Sequence, residues 1–396
     1  MDPKIILAKN LSLSKILTGY KKKFTEKNHF SNLLKNPNFI ICGQGQAYYA
    51  FERSVMNVLG VSPKFIVDKS IVKKKGNKLH FSHLQEWDKI KINQYAYVVC
   101  VGKRKTFEEI KRKLISFKIK KNNIVWVLNI YEFNIHHWDK RYALNYKNII
   151  SNKKKIIKSY NLLEDQKSKK IFLNLLNVYI SHKPNQISFE NPDNQYFPDK
   201  IFKKRNYEYF INCGAFTGDT FDKYFIKFKK ILKKCILIEP DPKNFNELRN
   251  NINKNLEIYF FEKVKLLNVA CSNKKSNLNF ITNKGLSSRI IKNIKGYKNN
   301  KNLIKVPSIK MDNIQLNPKN KIWYLSIDSE GYEKEIIKGS KKLIKNEKLN
   351  MAISVYHKIP DIWEIPLLIN EFSKNYKLYL RNYSGFVYET ILYAKK

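Results

Sequence analysis

Two stretches of the chain repeat one order of apolar and polar positions: a short apolar run, a glycine turn, a stretch with helical periodicity, then a second apolar run closed by an acid. In the first, Phe39-Ile40-Ile41-Cys42 predicts a buried strand and Gly43-Gln44-Gly45-Gln46-Ala47 a turn. Tyr48 to Leu59 follows as a helix capped by Gly60, and Lys64-Phe65-Ile66-Val67 as a strand ending at Asp68. Further strands are predicted over Tyr95–Val101 and Asn123–Leu128, with a helix over Thr106–Phe117 between them. In the second stretch, Tyr209-Phe210-Ile211-Asn212 is the strand, Gly214-Ala215-Phe216-Thr217-Gly218 the turn and Asp219 to Lys230 the helix. Cys235-Ile236-Leu237-Ile238 then ends at Glu239. Strands follow over Val264–Asn268, Ile322–Ile327, Met351–Val355, Tyr376–Leu380 and Glu389–Ala394. The last two have no helix between them, which predicts an antiparallel hairpin at a sheet edge.

Alternation of strand and helix argues for parallel sheets in two α/β domains. The expected organisation is a helical arm over 1–35, a Rossmann-like domain over 36–130, a helical connector over 131–204 and a second α/β domain over 205–396. The 396 residues suffice for two domains of ordinary size.

Composition changes this picture only at the surface. The formal charge is +43, carried mostly by Lys spread along the chain. Such a charge bears on association and not on fold. It suits anionic partners: phosphorylated glycans or a peripheral contact with an anionic membrane surface. No nucleic-acid recognition motif accompanies it. The five cysteines form no Cys-x-x-Cys pair and sit in or beside apolar runs, as buried free thiols do in a reducing compartment. No apolar run approaches the ~20 residues of a membrane span, and 1–24 lack the order of a signal peptide. Cytoplasm is the expected location.

The second glycine turn has what an adenosine cofactor needs. Gly214 and Gly218 let backbone approach closely, the Asp219 helix presents its N-terminus, and Glu239 can accept from ribose hydroxyls. A plain strand-to-helix turn would read the same way. The residues after Glu239 add more. Ile236-Leu237-Ile238-Glu239-Pro240-Asp241-Pro242 and Asn212-Cys213-Gly214-Ala215-Phe216-Thr217-Gly218-Asp219 resemble the first two motifs of the FkbM-type methyltransferase family. Asn268-Val269-Ala270-Cys271-Ser272 resembles the family's third element, the loop Gly285-Leu286-Ser287-Ser288 its Ser-Ser loop and Met311-Asp312-Asn313 its Leu-Asp-acidic turn. The block Leu325-Ser326-Ile327-Asp328-Ser329-Glu330-Gly331-Tyr332-Glu333 is similar to the family's Lys-Ile-Asp-x-Glu-Gly-x-Glu, and Ile353–Lys358 with Asp361–Pro366 to its C-terminal block. Two positions depart: Asn212 stands where the family usually has Asp, and Ser326 where it has Lys.

The resemblance implies a class I methyltransferase fold ending in an antiparallel hairpin, S-adenosyl-L-methionine as cofactor, and transfer to a hydroxyl of a bacterial glycan, glycolipid or sugar-nucleotide precursor. It implies cofactor contacts from Asn212, Gly214, Gly218, Glu239, Asn268 and Ala270. Ligands in open α/β sheets bind beyond the carboxyl ends of the strands. Asp328, Glu330 and His357 stand there and are the candidate catalytic residues. His357 could act as general base, or the three could hold a divalent metal such as Mg. Equally, Asp328 and Glu330 could simply cap a helix. His136-His137 have no partner motif.

The first domain carries Gly43-x-Gly45-x-x-Tyr48 with Asp68, a dinucleotide fingerprint lacking its third glycine. A scaffold role, or nucleotide or sugar-nucleotide binding, both fit it. Two other functions therefore stay open: a sugar-nucleotide-modifying oxidoreductase using this domain, and a non-enzymatic protein that binds an anionic polymer.

Overall fold

The computed structural model describes residues 38–52, 56, 61–73, 75–129, 149, 151–181, 187–255, 258–282, 288–291, 301–346 and 348–396. The expected arm 1–35, Gly60, the pair His136-His137 and the loop residues Gly285, Leu286 and Ser287 lie outside them. The chain divides into two compact units. One holds the described residues up to Ser151 with Leu173–Ser188 and Ser384–Tyr388. The other holds Asn152–Phe172, Phe189–Tyr383 and Glu389–Lys396. The stretch expected as a connector is thus shared between them. Part of it is tied into the second unit by Asp165, whose carboxylate accepts from Arg381, and by Glu164, whose N–H donates to Leu378 O at 2.9 Å.

The first unit contains one parallel sheet: β1 (Phe39–Cys42), β2 (Phe65–Asp68), β3 (Lys78–His80), β4 (Ala96–Val99) and β5 (Ile124–Trp126), in the order β3-β2-β1-β4-β5. Every residue of β1 and β4 is buried, as expected of parallel strands covered on both faces. Asp68 closes on its own unit. Its carboxylate accepts from Gln44 N at 2.8 Å and from Ser70 N and Oγ at 2.8 and 2.7 Å.

The second unit contains β6 (Tyr209–Cys213), β7 (Lys234–Ile238), β8 (Val264–Leu267), β9 (Ala270–Cys271), β10 (Ser276–Ile281), β11 (Arg289–Ile290), β12 (Leu303–Ile309), β13 (Trp323–Ile327), β14 (Leu349–Ser354), β15 (Lys377–Asn382) and β16 (Thr390–Lys395). Its main sheet has the order β15-β16-β14-β13-β6-β7-β8. All pairs are parallel except those of β16, which runs antiparallel to both β14 and β15, the hairpin the sequence predicts. A smaller sheet, β11-β10-β12-β9, lies alongside in sequence.

Strand order reverses between the parallel neighbours β6 and β13, the switch point of the main sheet, and the loops after these strands and after β7 and β14 carry the candidate site. Beneath it is an aromatic core. Phe210 stacks on Tyr224 with centroids 4.3 Å apart, Tyr207 on Phe228 at 4.4 Å, and Phe197 meets Tyr207, Phe210, Tyr224 and Phe228 at 5.6 to 5.7 Å. Phe197 is fully buried, so this cluster pins residues 195–202 against the sheet.

Candidate active site

The glycine turn expected to contact the donor follows β6. Gly214 adopts φ +84° and Gly218 φ +107°, and the N–H groups of Gly214 and Ala215 both donate to Ile238 O at 3.0 Å. Glu239, at the end of β7, is buried. Its carboxylate accepts from Phe216 N at 2.8 Å and from Asp241 N at 2.9 Å, so one side chain ties the glycine turn to the β7 loop. Burial pushes its carboxyl up to about 7, against the pull of those two N–H groups. Asn268 donates to Glu239 O at 2.8 Å and Pro240 O at 3.3 Å, holding the same loop from β8. Ser288 donates to Asp241 Oδ2 at 2.8 Å.

Ala270 is buried in β9 and paired with Ser308 of β12. Asn212 is buried, and the two departures noted in the sequence prove to be neighbours: Asn212 and Ser326 are register partners across β6 and β13. Ser326 Oγ donates to Asn212 Oδ1 at 2.8 Å. A neutral hydrogen-bonded pair thus occupies a place where an acid and a lysine would form a buried ion pair. Asn212 Nδ2 is buried without a partner among the described residues.

The second half of the site follows β13. After Asp328 the chain turns through Glu330 (φ +49°) and Gly331 (φ +92°) into the helix Glu333–Gly339. Glu333 is fully buried beneath this turn, and its Oε1 accepts from Ser329 N at 2.9 Å and Gly331 N at 3.3 Å. Glu333 thus binds the turn ahead of the helix, whose N-cap residue Tyr332 makes no side-chain cap. Asp328 and Glu330 have 33% and 37% of their side chains exposed, open to a ligand.

His357, just past β14, is 7% exposed and lies between these acids. Its Nδ1 is 2.8 Å from Glu333 Oε1, and its Nε2 is 3.4 Å from Asp328 Oδ1 and 3.7 Å from Glu330 Oε1. Burial alone would lower the imidazole; the charge and hydrogen bond of Glu333, then Asp328 and Glu330, outweigh it and push it up to about 10. Glu333 shifts the other way. Burial raises it, but the imidazolium charge and hydrogen bonds hold it below the usual carboxylate range. That shift favours the cationic imidazole at neutral pH, a form with no lone pair to offer as a base. Asp328, raised by burial and drawn back by His357 and Tyr196, reaches about 6, a value suited to a base.

Asp328, Glu333 and His357 have ligand-type atoms within 4.8 Å of one another, a set that could hold a cation. Both imidazole nitrogens face carboxylates, however, and the imidazolium already brings the positive charge. The set reads as an ion-paired imidazolium.

Sequence reasoning named Asp328, Glu330 and His357, which the fold brings together, but missed their neighbours. Tyr196 Oη donates to Asp328 Oδ2 at 2.5 Å, and Tyr356 Oη to the same oxygen at 3.4 Å. Gln195 Nε2 donates to Glu389 Oε2, and the Glu389 charge is felt by Asp328, Tyr196 and Tyr356. Tyr196, Phe216, Glu330 and Glu389 are four of the five described non-glycine residues with positive φ. Backbone strain of this kind gathers at functional sites.

This strand order, with its antiparallel last strand and a glycine turn closed by an acid, defines an S-adenosylmethionine-dependent methyltransferase fold. Residues 212–384 match the family model described as Methyltransferase FkbM domain, so this part of the chain is an FkbM-type methyltransferase domain. The crystal structure of a methyltransferase FkbM from Methylobacillus flagellatus superimposes with a TM-score of 0.66 at 17% identity, covering 98% of this chain and 100% of that one. The N-terminal domain of human METTL16 gives a TM-score of 0.29 at 13% identity over 51% of this chain and 65% of that one. A SAM-dependent methyltransferase from Aquifex aeolicus gives 0.27 at 12% identity over 52% and 93%. No curated protein sequence matches the chain.

The raised carboxyl of Glu239 makes a prediction about the donor. With its folded pKa lifted to about 7, the unliganded protein loses stability as pH rises from the usual carboxylate range through 7. Ribose hydroxyls donating to the carboxylate favour its charged form, so binding S-adenosylhomocysteine at pH 7 should release about half a proton. Affinity should weaken as pH falls below 7. Calorimetry in buffers of different ionisation enthalpy reads the release directly. Glu239→Gln should abolish it; an unchanged release in that variant would assign the proton elsewhere.

Proposed function

We propose that the protein is an O-methyltransferase acting on a sugar hydroxyl of a glycan, glycolipid or sugar-nucleotide precursor. One observation carries the reading: a part-exposed carboxyl lifted toward neutrality stands directly against the donor turn. A Cβ at Gly214 would lie 1.9 Å from the carbonyl oxygen of Asp328, so the backbone that cradles the donor touches the backbone of the base. The residues fit the methyl donor. Two left-handed glycines allow close approach, Glu239 offers a carboxylate to ribose hydroxyls, and Asn212 Nδ2 is a buried donor with no partner among the described residues.

S-adenosylmethionine supplies an electrophilic methyl group on a sulfonium. Asp328 takes the proton of the attacking hydroxyl on Oδ1, the oxygen nearer His357. His357, held as imidazolium by Glu333, offsets the negative charge of Asp328 before transfer and donates to the acceptor region from Nε2. Glu330 at the rim is placed to accept from a second hydroxyl of a sugar. The net charge of +43 favours acceptors that carry phosphate, whether nucleotide-linked or lipid-linked at an anionic membrane surface, with the work done on the cytoplasmic side. No helix among the described residues is long and apolar enough to cross a membrane.

The test is incubation of the full chain with labelled S-adenosylmethionine and a panel of sugar nucleotides and lipid-linked saccharides, with product methyls located by NMR. An O–CH3 on a sugar carbon is the expected product; an N-methyl or C-methyl product sinks the reading. Because His357 already balances the carboxylates, EDTA should leave turnover unchanged. Loss on chelation, restored by Mg, would move the cluster to metal chemistry.

A further inference from the structure

Tyr196 lies ahead of the matched methyltransferase domain, in a stretch without any motif, yet its hydroxyl makes the shortest contact of Asp328. Its backbone is left-handed (φ +70°), which sends consecutive side chains in different directions. Phe197 goes into the aromatic core; Tyr196 goes to the acid. Several anchors hold it. Tyr324 Oη donates to Tyr196 O, Gln195 Nε2 to Glu389 Oε2, and Tyr196 Oη is 3.3 Å from Ser354 Oγ. Tyr196 is 6% exposed, so its phenol is fixed and shielded from water.

We propose that Tyr196 is a positioning residue of the methyl-transfer site: its phenol holds Asp328 by Oδ2 so that Oδ1 is presented to the acceptor. The proposal rests on the O-methyltransferase reading for what Asp328 does, and on geometry alone for what Tyr196 does. Two phenols converge on Oδ2, at 2.5 Å from Tyr196 and 3.4 Å from Tyr356, while Oδ1 faces the imidazole Nε2 at 3.4 Å. A carboxylate gripped at one oxygen cannot rotate about its Cβ–Cγ bond. Partial rotation would swing Oδ1 out of line with the acceptor and break the contact at Oδ2. Fixing it removes the orientational search that a free carboxylate carries into each turnover. It also means that the domain matched by residues 212–384 is incomplete as a catalyst without 189–203.

The experiment uses the full chain and two phenylalanine variants, Tyr196→Phe and Tyr356→Phe, each alone and combined with Asp328→Asn. The first arm needs no acceptor. Urea denaturation should show Tyr196→Phe raising the unfolding equilibrium constant about tenfold in the wild-type background, as for loss of a hydrogen bond to a charged group. In the Asp328→Asn background, where the carboxamide oxygen keeps only a weaker neutral bond to the phenol, the change should shrink to about threefold. Equal changes in both backgrounds would overturn the contact. The second arm reads turnover. Tyr196→Phe should lower kcat about tenfold, with donor affinity and acceptor KM unchanged, because the lost contact acts on orientation and not on binding. Tyr356→Phe, losing the longer bond, should lower it less. An unchanged kcat in Tyr196→Phe, or a larger loss in Tyr356→Phe, would overturn the positioning role. Failure of the wild type to methylate any hydroxyl would defeat the O-methyltransferase reading instead, leaving the denaturation cycle to decide the Tyr196–Asp328 contact.

Discussion

Alanine at position 214 is expected to abolish donor binding and to destabilise the methyltransferase unit by more than about 3 kcal/mol, adding left-handed strain of about 1–3 to overpacking of about 1–3. Both terms follow from the backbone. Gly214 has φ +84°, a region closed to most residues with a Cβ. The added carbon would lie 1.9 Å from Asp328 O and 2.9 Å from its carbonyl carbon, distances no Cβ tolerates. Relief would require β6 and β13 to part. They are held there by Asp328 N donating to Cys213 O at 3.0 Å and by the register of Ile327 on Cys213. Gly218→Ala makes a graded control. Its Cβ would meet only the end of the Leu248 side chain, at 3.2 Å, so it should keep most of its stability at the cost of the φ +107° strain. Thermal melts with S-adenosylhomocysteine calorimetry separate the two. A Gly214→Ala protein that binds as wild type and melts within a few degrees of it would show the turn to be far softer than drawn.

How much of this was legible in the chain depended on burial and on distance along it. The strands β1, β4, β6, β7, β13 and β14 are almost wholly buried and wrote themselves as continuous apolar runs. The sheet β11-β10-β12-β9 did not. Ser276–Ile281 and Leu303–Ile309 mix polar residues and a proline into half-buried strands, and neither run stands out from a loop. Lys78–His80 was missed in the same way, with Leu79 alone buried. At the site, Asp328, Glu330 and His357 could be read because strand ends in an α/β sheet are where ligands bind. Their roles could not. Which acid binds the turn, and whether His357 carries a proton, depend on Glu333 folding underneath, and its buried side chain looks in sequence like any acid early in a helix. Tyr196 left no signal at all. Its partner is 132 residues away, and only a left-handed turn and an aromatic core bring them together. The Asn212 and Ser326 departures were each visible singly; only the register of β6 on β13 shows them to be one paired exchange.

Asp328→Asn should lower turnover by about 10²–10⁴-fold, the usual range for a general base, while leaving fold and donor affinity nearly intact. The carboxamide keeps the shape of the acid, and its oxygen can still accept from Tyr196. What it cannot do is take a proton. In the wild type, transfer should therefore rise with pH as Asp328 loses its proton near 6, and fall away below that value; the variant's residual activity should lack this limb. His357→Ala is expected to behave differently, since the imidazolium is the counter-ion of a fully buried carboxylate. Removing it leaves Glu333 charged and unpaired, with Oε2 already lacking a partner among the described residues. Breaking a buried pair in this way costs about 3–5 kcal/mol, so the variant should lose stability as well as turnover. His357→Lys, which restores a cation, should recover part of the stability without recovering the geometry at Asp328. Turnover and melting temperature measured together on the three variants distinguish chemistry from charge balance. If Asp328→Asn turns over at the wild-type rate with its acidic limb still present, the base is another group. If His357→Ala is as stable as wild type, Glu333 is not held as an anion, and the imidazole regains its place as a candidate base.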